Sequence, residues 1–241
     1  MQASQLRPAS ELAKRYGVKA IIHGAPGSGK TPLVSTAPRP VMLATEPGLG
    51  SLRSSNVPVW EAYQPAKIAE FMKWILESKE AANYDTVAVD SLSNASEIFL
   101  TEMTAIEKDG RRAYGRANEK TMKLCNDLYY MQSKHIVMIC KQTTRENGKE
   151  SVMQNGQVLY EPVMQKIPYF PGKELNSKIP HLFDDILHLC DASIPGHAKP
   201  QRALRTREIP EVMARDRYGG LEDLEPANLS YFFDKAMKGN V

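Results

Sequence analysis

The stretch "VKAIIHGAPGSGKTPLVSTAPRP", residues 18–40, decides the fold. Its apolar start reads as a buried strand, and Gly24, Gly27 and Gly29 then punctuate a turn. Pro32 suits only the first turn of a helix, which Pro38 and Pro40 bring to an early end. A strand, a glycine-rich turn and a short helix therefore follow one another directly.

Within that turn, Gly24, Gly29, Lys30 and Thr31 hold the spacing G-x-x-x-x-G-K-T. Between a strand and a helix, such glycines let backbone N–H groups turn inward around phosphate oxygens. The lysine adds a mobile cation and the threonine a hydroxyl for Mg²⁺. The run Gly24, Ala25, Pro26, Gly27, Ser28, Gly29, Lys30, Thr31 and Pro32 is the expected cradle, with ATP and Mg²⁺ as its expected ligands.

Working outward, apolar runs recur at 40–46, 57–62, 84–90, 134–140, 185–191 and 202–207. Helical patterns fall between them at 65–80, 92–107, 116–133 and 173–180, where "FMKWIL" (71–76) reads as a helix face packed on a sheet. The alternation predicts a three-layer α/β P-loop NTPase, a mostly parallel sheet flanked by helices. Residues 143–172, broken by Gly, Asn, Gln and Pro, predict a hairpin or mobile loop inserted late in the sheet. Residues 1–16 read as an N-terminal arm and 17–241 as one domain, for which a 42% hydrophobic content is ample core.

Composition narrows the classes further. The apolar runs fall far short of the roughly 20 residues of a membrane span, and the N-terminus has no apolar signal core, so a cytoplasmic protein with no membrane contact is expected. Cys125, Cys140 and Cys190 are odd in number and far apart, which argues against a disulfide framework or zinc knuckle and for buried thiols. His181, Asp184, Asp185 and His188 in "HLFDDILHLCD" diverge to both faces of a strand, which argues against a metal there. A net charge of +3 is too small to announce nucleic-acid binding, so that case must be local.

A metal–nucleotide site also needs a carboxylate at a neighbouring strand end, and "TVAVD" supplies Asp90, which with Thr31 makes the expected metal pair. The residue after Asp90 is Ser91, so a water-activating carboxylate must come from elsewhere. Glu46, in "VMLATEPGLGSL", ends another strand and takes that role. Gln142, just past "HIVMICK", stands where a polar side chain can sense the terminal phosphate.

This order of P-loop, Glu46, "VAVDS" and Gln142 resembles the RecA-like core of recombinases and DnaB-type helicases. The segment "ARDRYGGLEDL" (214–224) looks like the K-x-R-x-G segment with which such proteins reach a neighbouring subunit's nucleotide, with Arg where the family often has Lys. Over about residues 16–236 the chain is similar to compact phage nucleotide-binding proteins related to Sak-type single-strand annealing recombinases. That resemblance implies trans-acting fingers at Arg215 and Arg217, a homo-oligomeric ring or filament with nucleotide between subunits, and single-stranded DNA as partner. It also implies a role in annealing or recombination, in the host cytoplasm if phage-encoded.

Two stretches carry the local DNA argument. In "KDGRRAYGRANEKTMK" (108–123), Arg111, Arg112 and Arg116 surround Tyr114, cations for a backbone and a ring for a base, expected on a loop between two helices. In 143–170, Arg145 and Lys149 are the expected contacts, diluted by acidic neighbours. Competing classes are a nucleotide or small-molecule kinase, for which no arginine-rich lid is legible, and a helicase-loader-like nucleotide switch.

Overall fold

The computed structural model describes residues 6–13, 15–154, 157–193 and 198–238. A one-turn helix α1 (Ala9–Ala13) precedes β1 (Lys19–His23), the phosphate-loop turn and the short α2 (Lys30–Leu33). Next come β2 (Pro40–Ala44), β3 (Val59–Glu61), α3 (Pro65–Glu77), β4 (Thr86–Asp90), α4 (Leu92–Ile106), α5 (Gly110–Tyr129) and β5 (His135–Cys140). The second half holds β6 (Gln142–Gln154), β7 (Gln157–Pro168), α6 (Glu174–Leu182), β8 (Asp185–Ala192), β9 (Gln201–Arg205), β10 (Leu224–Pro226) and α7 (Leu229–Lys238).

Eight strands form one sheet in the order β10-β9-β8-β1-β5-β4-β2-β3. From β8 to β3 every pairing is parallel, and β9 and β10 add antiparallel neighbours at one edge. Successive side chains of a strand point to opposite faces, and the core divides on that rule. Ile21, Leu43, Val89, Ile136 and Met138 face one way, onto Phe71, Phe99, Leu124, Leu128 and Ile179 of α3 to α6. Ala20, Ile22, Met42, Val137 and Ile139 face the other, onto Leu33, Val34, Phe232 and Phe233. Each fully buried Leu, Ile or Phe here contributes about 1.5–3 kcal/mol, so the two layers clamp the sheet whose carboxyl edge carries the phosphate loop.

Three elements differ from expectation. The segment expected as a loop at 108–123 is the start of α5. Asp109 caps it, its side chain accepting from the Arg111 N–H at 2.9 Å, and Ala113, Ala117, Thr121, Leu124 and Leu128 bury at helical spacing. Gly110 and Gly115 suggest a break, but the small buried positions outweigh them. The expected insert near 143–172 is a hairpin, yet β6 and β7 form a two-stranded ribbon separate from the main sheet, tied to the segment before Arg215 by a bridge between Lys166 and Val212. Helix α7 lies beyond the helical patterns read from the sequence, and it closes the second layer through Phe232 and Phe233.

Candidate functional site

At the carboxyl end of β1 the backbone turns tightly, with φ of 75° at Gly27 and 96° at Gly29, the left-handed region that glycine enters at no steric cost. Gly24 is needed for space: a Cβ there would lie 2.7 Å from the Leu189 carbonyl oxygen and 3.0 Å from Ser28 Oγ. Lys30 Nζ curls back and donates to the carbonyl oxygens of Gly24 at 2.7 Å and Ala25 at 2.9 Å. Burial holds the Lys30 ammonium below its ordinary pKa, with Asp90 opposing that shift. Ser28 Oγ is buried with no partner among the described residues. A cation without a carboxylate contact, an orphaned hydroxyl and a glycine-lined turn together fit a bound phosphate.

Thr31 Oγ1 donates to Asp90 Oδ2 at 2.6 Å, across the width of β5, which lies between β1 and β4. Burial raises the Asp90 pKa above its ordinary value, the Thr31 bond and Lys30 pull it down, and Glu46 adds to the rise. A buried carboxylate held against a threonine hydroxyl is the donor pair a hard divalent cation takes, directly or through water. The residues present therefore fit Mg²⁺.

A profile of the AAA-domain family AAA_24 matches residues 16–218. The chain belongs to that family. No curated protein sequence matches it. Among solved structures it is similar to a KaiC-like protein from the hyperthermophilic archaeon Pyrococcus horikoshii, at 10% identity and a TM-score of 0.41, with 78% of each chain covered. It is also similar to the RadB recombinase, at 15% identity and a TM-score of 0.43, covering 88% of this chain and 91% of that one. Both likenesses are distant.

In this AAA_24 domain, Glu46 follows β2 on a turn tied to the start of α4. Thr45 Oγ1 donates to the Ser91 carbonyl at 2.8 Å, and Asn94 Nδ2 donates to the Thr45 carbonyl at 2.6 Å. The Glu46 carboxylate is half-exposed, 3.9 Å from Lys141 Nζ, which bonds Glu97 at 2.7 Å. Gln142 opens β6 immediately after β5, and its Oε1 accepts from His188 Nε2 at 3.0 Å. His188 lies beside His23 on the neighbouring strand, ring centroids 4.9 Å apart. His23 Nε2 donates to the Met213 carbonyl at 2.8 Å, so that ring carries its proton on Nε2. Burial is the main cause holding both neutral, with pKa values down to about 3 for His23 and about 4 for His188.

The two arginines of "ARDR" part company. Arg215 turns inward: its guanidinium donates to the carbonyls of Pro180 at 2.6 Å, Asp184 at 3.2 Å and Phe183, closing the end of α6. In this arrangement Nε and Nη2 of Arg215 are taken up by carbonyls of its own chain, unlike the side chain expected of a finger. Arg217 is exposed and donates to Asp184 Oδ1 at 2.8 Å. Asp185 is in register with Ala20, so Arg217 stands at the amino edge of the sheet, about 13 Å along β1 from Gly24 at 3.3 Å per residue.

The residues expected to meet DNA occupy two separate surfaces. Arg111, Arg112, Tyr114 and Arg116 lie on the outer face of α5, where Arg116 pairs with Glu107 and Tyr114 lies against Gly172. On the hairpin, Arg145 is bound by Gln165 Oε1 at 2.8 Å, and Gln165 in turn donates to Glu208 at 2.7 Å. Lys149 is exposed farther out. Among the described residues Arg111, Arg112 and Lys149 form no ion pair, and no helix is long and apolar enough to cross a membrane.

Sequence reading missed three side chains at the phosphate loop: His23, His188 and Arg202. The only local signal was His23 directly before Gly24. The other two arrive through the pairing of β8 with β1 and β9 with β8.

Proposed function

We propose that this AAA_24 domain is a Mg²⁺-dependent ATPase with a RecA-like working cycle that assembles as a homo-oligomer on single-stranded DNA and promotes annealing or recombination. In this reading residues 17–241 are the ATP-binding unit, 1–16 an arm, and the setting is cytoplasmic. The observation that carries it is the Thr31–Asp90 hydrogen bond at 2.6 Å beside Lys30, a hydroxyl, a carboxylate and a cation converging on one glycine-lined turn. Bound MgATP supplies a phosphoanhydride whose terminal phosphorus is made electrophilic by the cation.

The chain's own residues do the rest. Residues 24–32 bind the phosphates through backbone N–H groups, and Lys30 exchanges its loop carbonyls for phosphate oxygens. Glu46, held by the Thr45–Ser91–Asn94 clamp and left half-exposed, orients a water and takes its proton. Gln142 presents its amide N–H₂ because His188 holds its Oε1, and it sits at the root of the β6–β7 ribbon, joining the phosphate site to a surface that contacts DNA. Arg217, at the far edge of the sheet, serves a neighbouring subunit's nucleotide and makes turnover depend on assembly. Arg111, Arg112, Tyr114 and Lys149 contact the strand directly, Arg116 and Arg145 after loosening their present bonds.

ATP turnover with and without single-stranded DNA tests this. Stimulation is expected, together with a loss of about 100-fold or more in Lys30→Ala. Normal ATP affinity and rate in that variant would remove the site. Phosphorylation of a small molecule without DNA stimulation would make the protein a kinase, and neither activity would make it a nucleotide switch. Mixing Arg217→Ala with Lys30→Ala should restore part of the rate; no rescue at any ratio would refute a finger acting between subunits.

A further inference from the structure

Arg202 lies on β9, opposite Asp191 of β8 in the antiparallel ladder. The carboxyl end of β8 abuts the phosphate loop, since the Leu189 carbonyl oxygen stands 2.7 Å from where a Gly24 Cβ would be. From there the Arg202 side chain crosses to the loop and lays its guanidinium against Gly29. A Cβ on Gly29 would fall 2.5 Å from Nη1, 2.7 Å from Cζ and 3.1 Å from Nε. Glycine at 29 thus meets two demands, the φ of 96° and the room for that guanidinium.

The charge has no counterion among the described residues. Arg39, Arg207 and Arg217 each meet an aspartate, whereas Arg202 forms no ion pair among the described residues, Asp191 included. It stands exposed, on the glycine immediately before Lys30, a second cation, whose own bonds are to the carbonyl oxygens of Gly24 and Ala25. Two neighbouring cations with no carboxylate between them repel, and the arrangement becomes favourable once an anion lies against both.

We infer that Arg202 is a second cation of the cradle, delivered within the same chain, that grips the phosphates ATP and ADP share. The inference rests on the nucleotide reading above and adds a residue and a flank to it. Sheet order sets the flank: β5, β4 and β2, with Asp90 and Glu46, lie on one side of β1, and β8 and β9 on the other. Arg202 therefore approaches from the side away from the metal pair and the water-activating carboxylate. It contributes to holding nucleotide before and after hydrolysis, and its fork of N–H groups matches phosphate oxygens in a way lysine does not.

Equilibrium binding of MgATP and MgADP to the full chain, for Arg202→Gln and Arg202→Lys beside Lys30→Ala, tests it. Arg202→Gln should weaken both nucleotides by about 10- to 100-fold, with the loss in Kd and KM rather than in kcat, and Arg202→Lys should recover part of it. Free pyrophosphate should lose affinity with them and adenosine should not, which places the contact on phosphate. The dependence of Kd on salt should become shallower, a readout that a merely structural arginine would leave alone. Unchanged ATP and ADP affinity in Arg202→Gln, where Lys30→Ala has lost binding, overturns the inference alone. So does a loss confined to kcat, or to ATP with ADP spared, which moves the contact to the terminal phosphate. Unchanged affinity in Lys30→Ala as well overturns the nucleotide site itself.

Discussion

The two edges of the sheet carry similar residues in opposite states. At the amino edge, Lys19 Nζ donates to the carbonyls of Met131 at 2.7 Å and Lys134 at 2.6 Å, Arg215 saturates the end of α6, and Asp184 accepts from Tyr129 and Arg217. At the carboxyl edge, Lys30 bonds only its own loop, Arg202 pairs with nothing among the described residues, and Glu46 is 3.9 Å from its nearest cation. A charge that finds its partners inside the chain is part of the fold, and one that stands at the phosphate loop without a partner is free to meet a ligand from outside. Substitutions should therefore alter stability at the first edge and nucleotide handling at the second.

The largest expected effect is at the carboxyl edge. Glu46→Gln keeps shape and hydrogen bonding but cannot take a proton, so turnover should fall by about 10²- to 10⁴-fold while nucleotide binding persists. The ATP-free protein should melt as the parent does. An unchanged rate would move the role of base elsewhere, and a lowered melting temperature would break the contrast between the edges.

Arg215→Ala sharpens it from the other side. Three carbonyls at the end of α6 would lose their donor, a cost of about 2–4 kcal/mol for partly buried groups, read as a shifted denaturant midpoint at unchanged slope. A normally stable Arg215→Ala with lost turnover would return that arginine to the role of finger.

What was legible in the sequence was contiguous. Gly24 to Thr31 lie within one turn, Asp90 closes an unbroken apolar strand, and each declares its place without knowledge of what lies beside it. The alternation of strand and helix patterns likewise disclosed a parallel sheet. Arg202, His23 and His188 were illegible because their meaning depends on β8 pairing with β1 and β9 folding back on β8, contacts remote along the chain. Arg215 and Arg217, two residues apart, read alike until the end of α6 takes one of them. The start of α5 read as a loop because its buried face is Ala113, Ala117 and Thr121, too weakly apolar to outweigh Gly110 and Gly115.

The smallest expected effect concerns the one member of the amino edge that is incompletely satisfied. Asp185 is fully buried; Oδ1 accepts from the Arg217 N–H at 3.2 Å, and Oδ2 has no partner among the described residues. Burial raises its pKa to about 8; the Arg217 N–H and Arg215 oppose that rise, and Asp216 and Asp184 add to it. Near neutral pH the native state thus holds a proton that the unfolded chain, with the ordinary aspartate pKa of 3.8, has released. Its contribution to stability is fully present below pH 3.8 and declines as pH rises through that value toward about 8. Asp185→Asn keeps the shape and removes the titration, so it should match the parent near pH 4 and exceed it by about 1–2 kcal/mol at pH 8. Denaturant midpoints at the two pH values measure this. A gain that is equal at both would mean that Asp185 is ionised in the fold, and the amino edge would then hold a charge left waiting, as the carboxyl edge does.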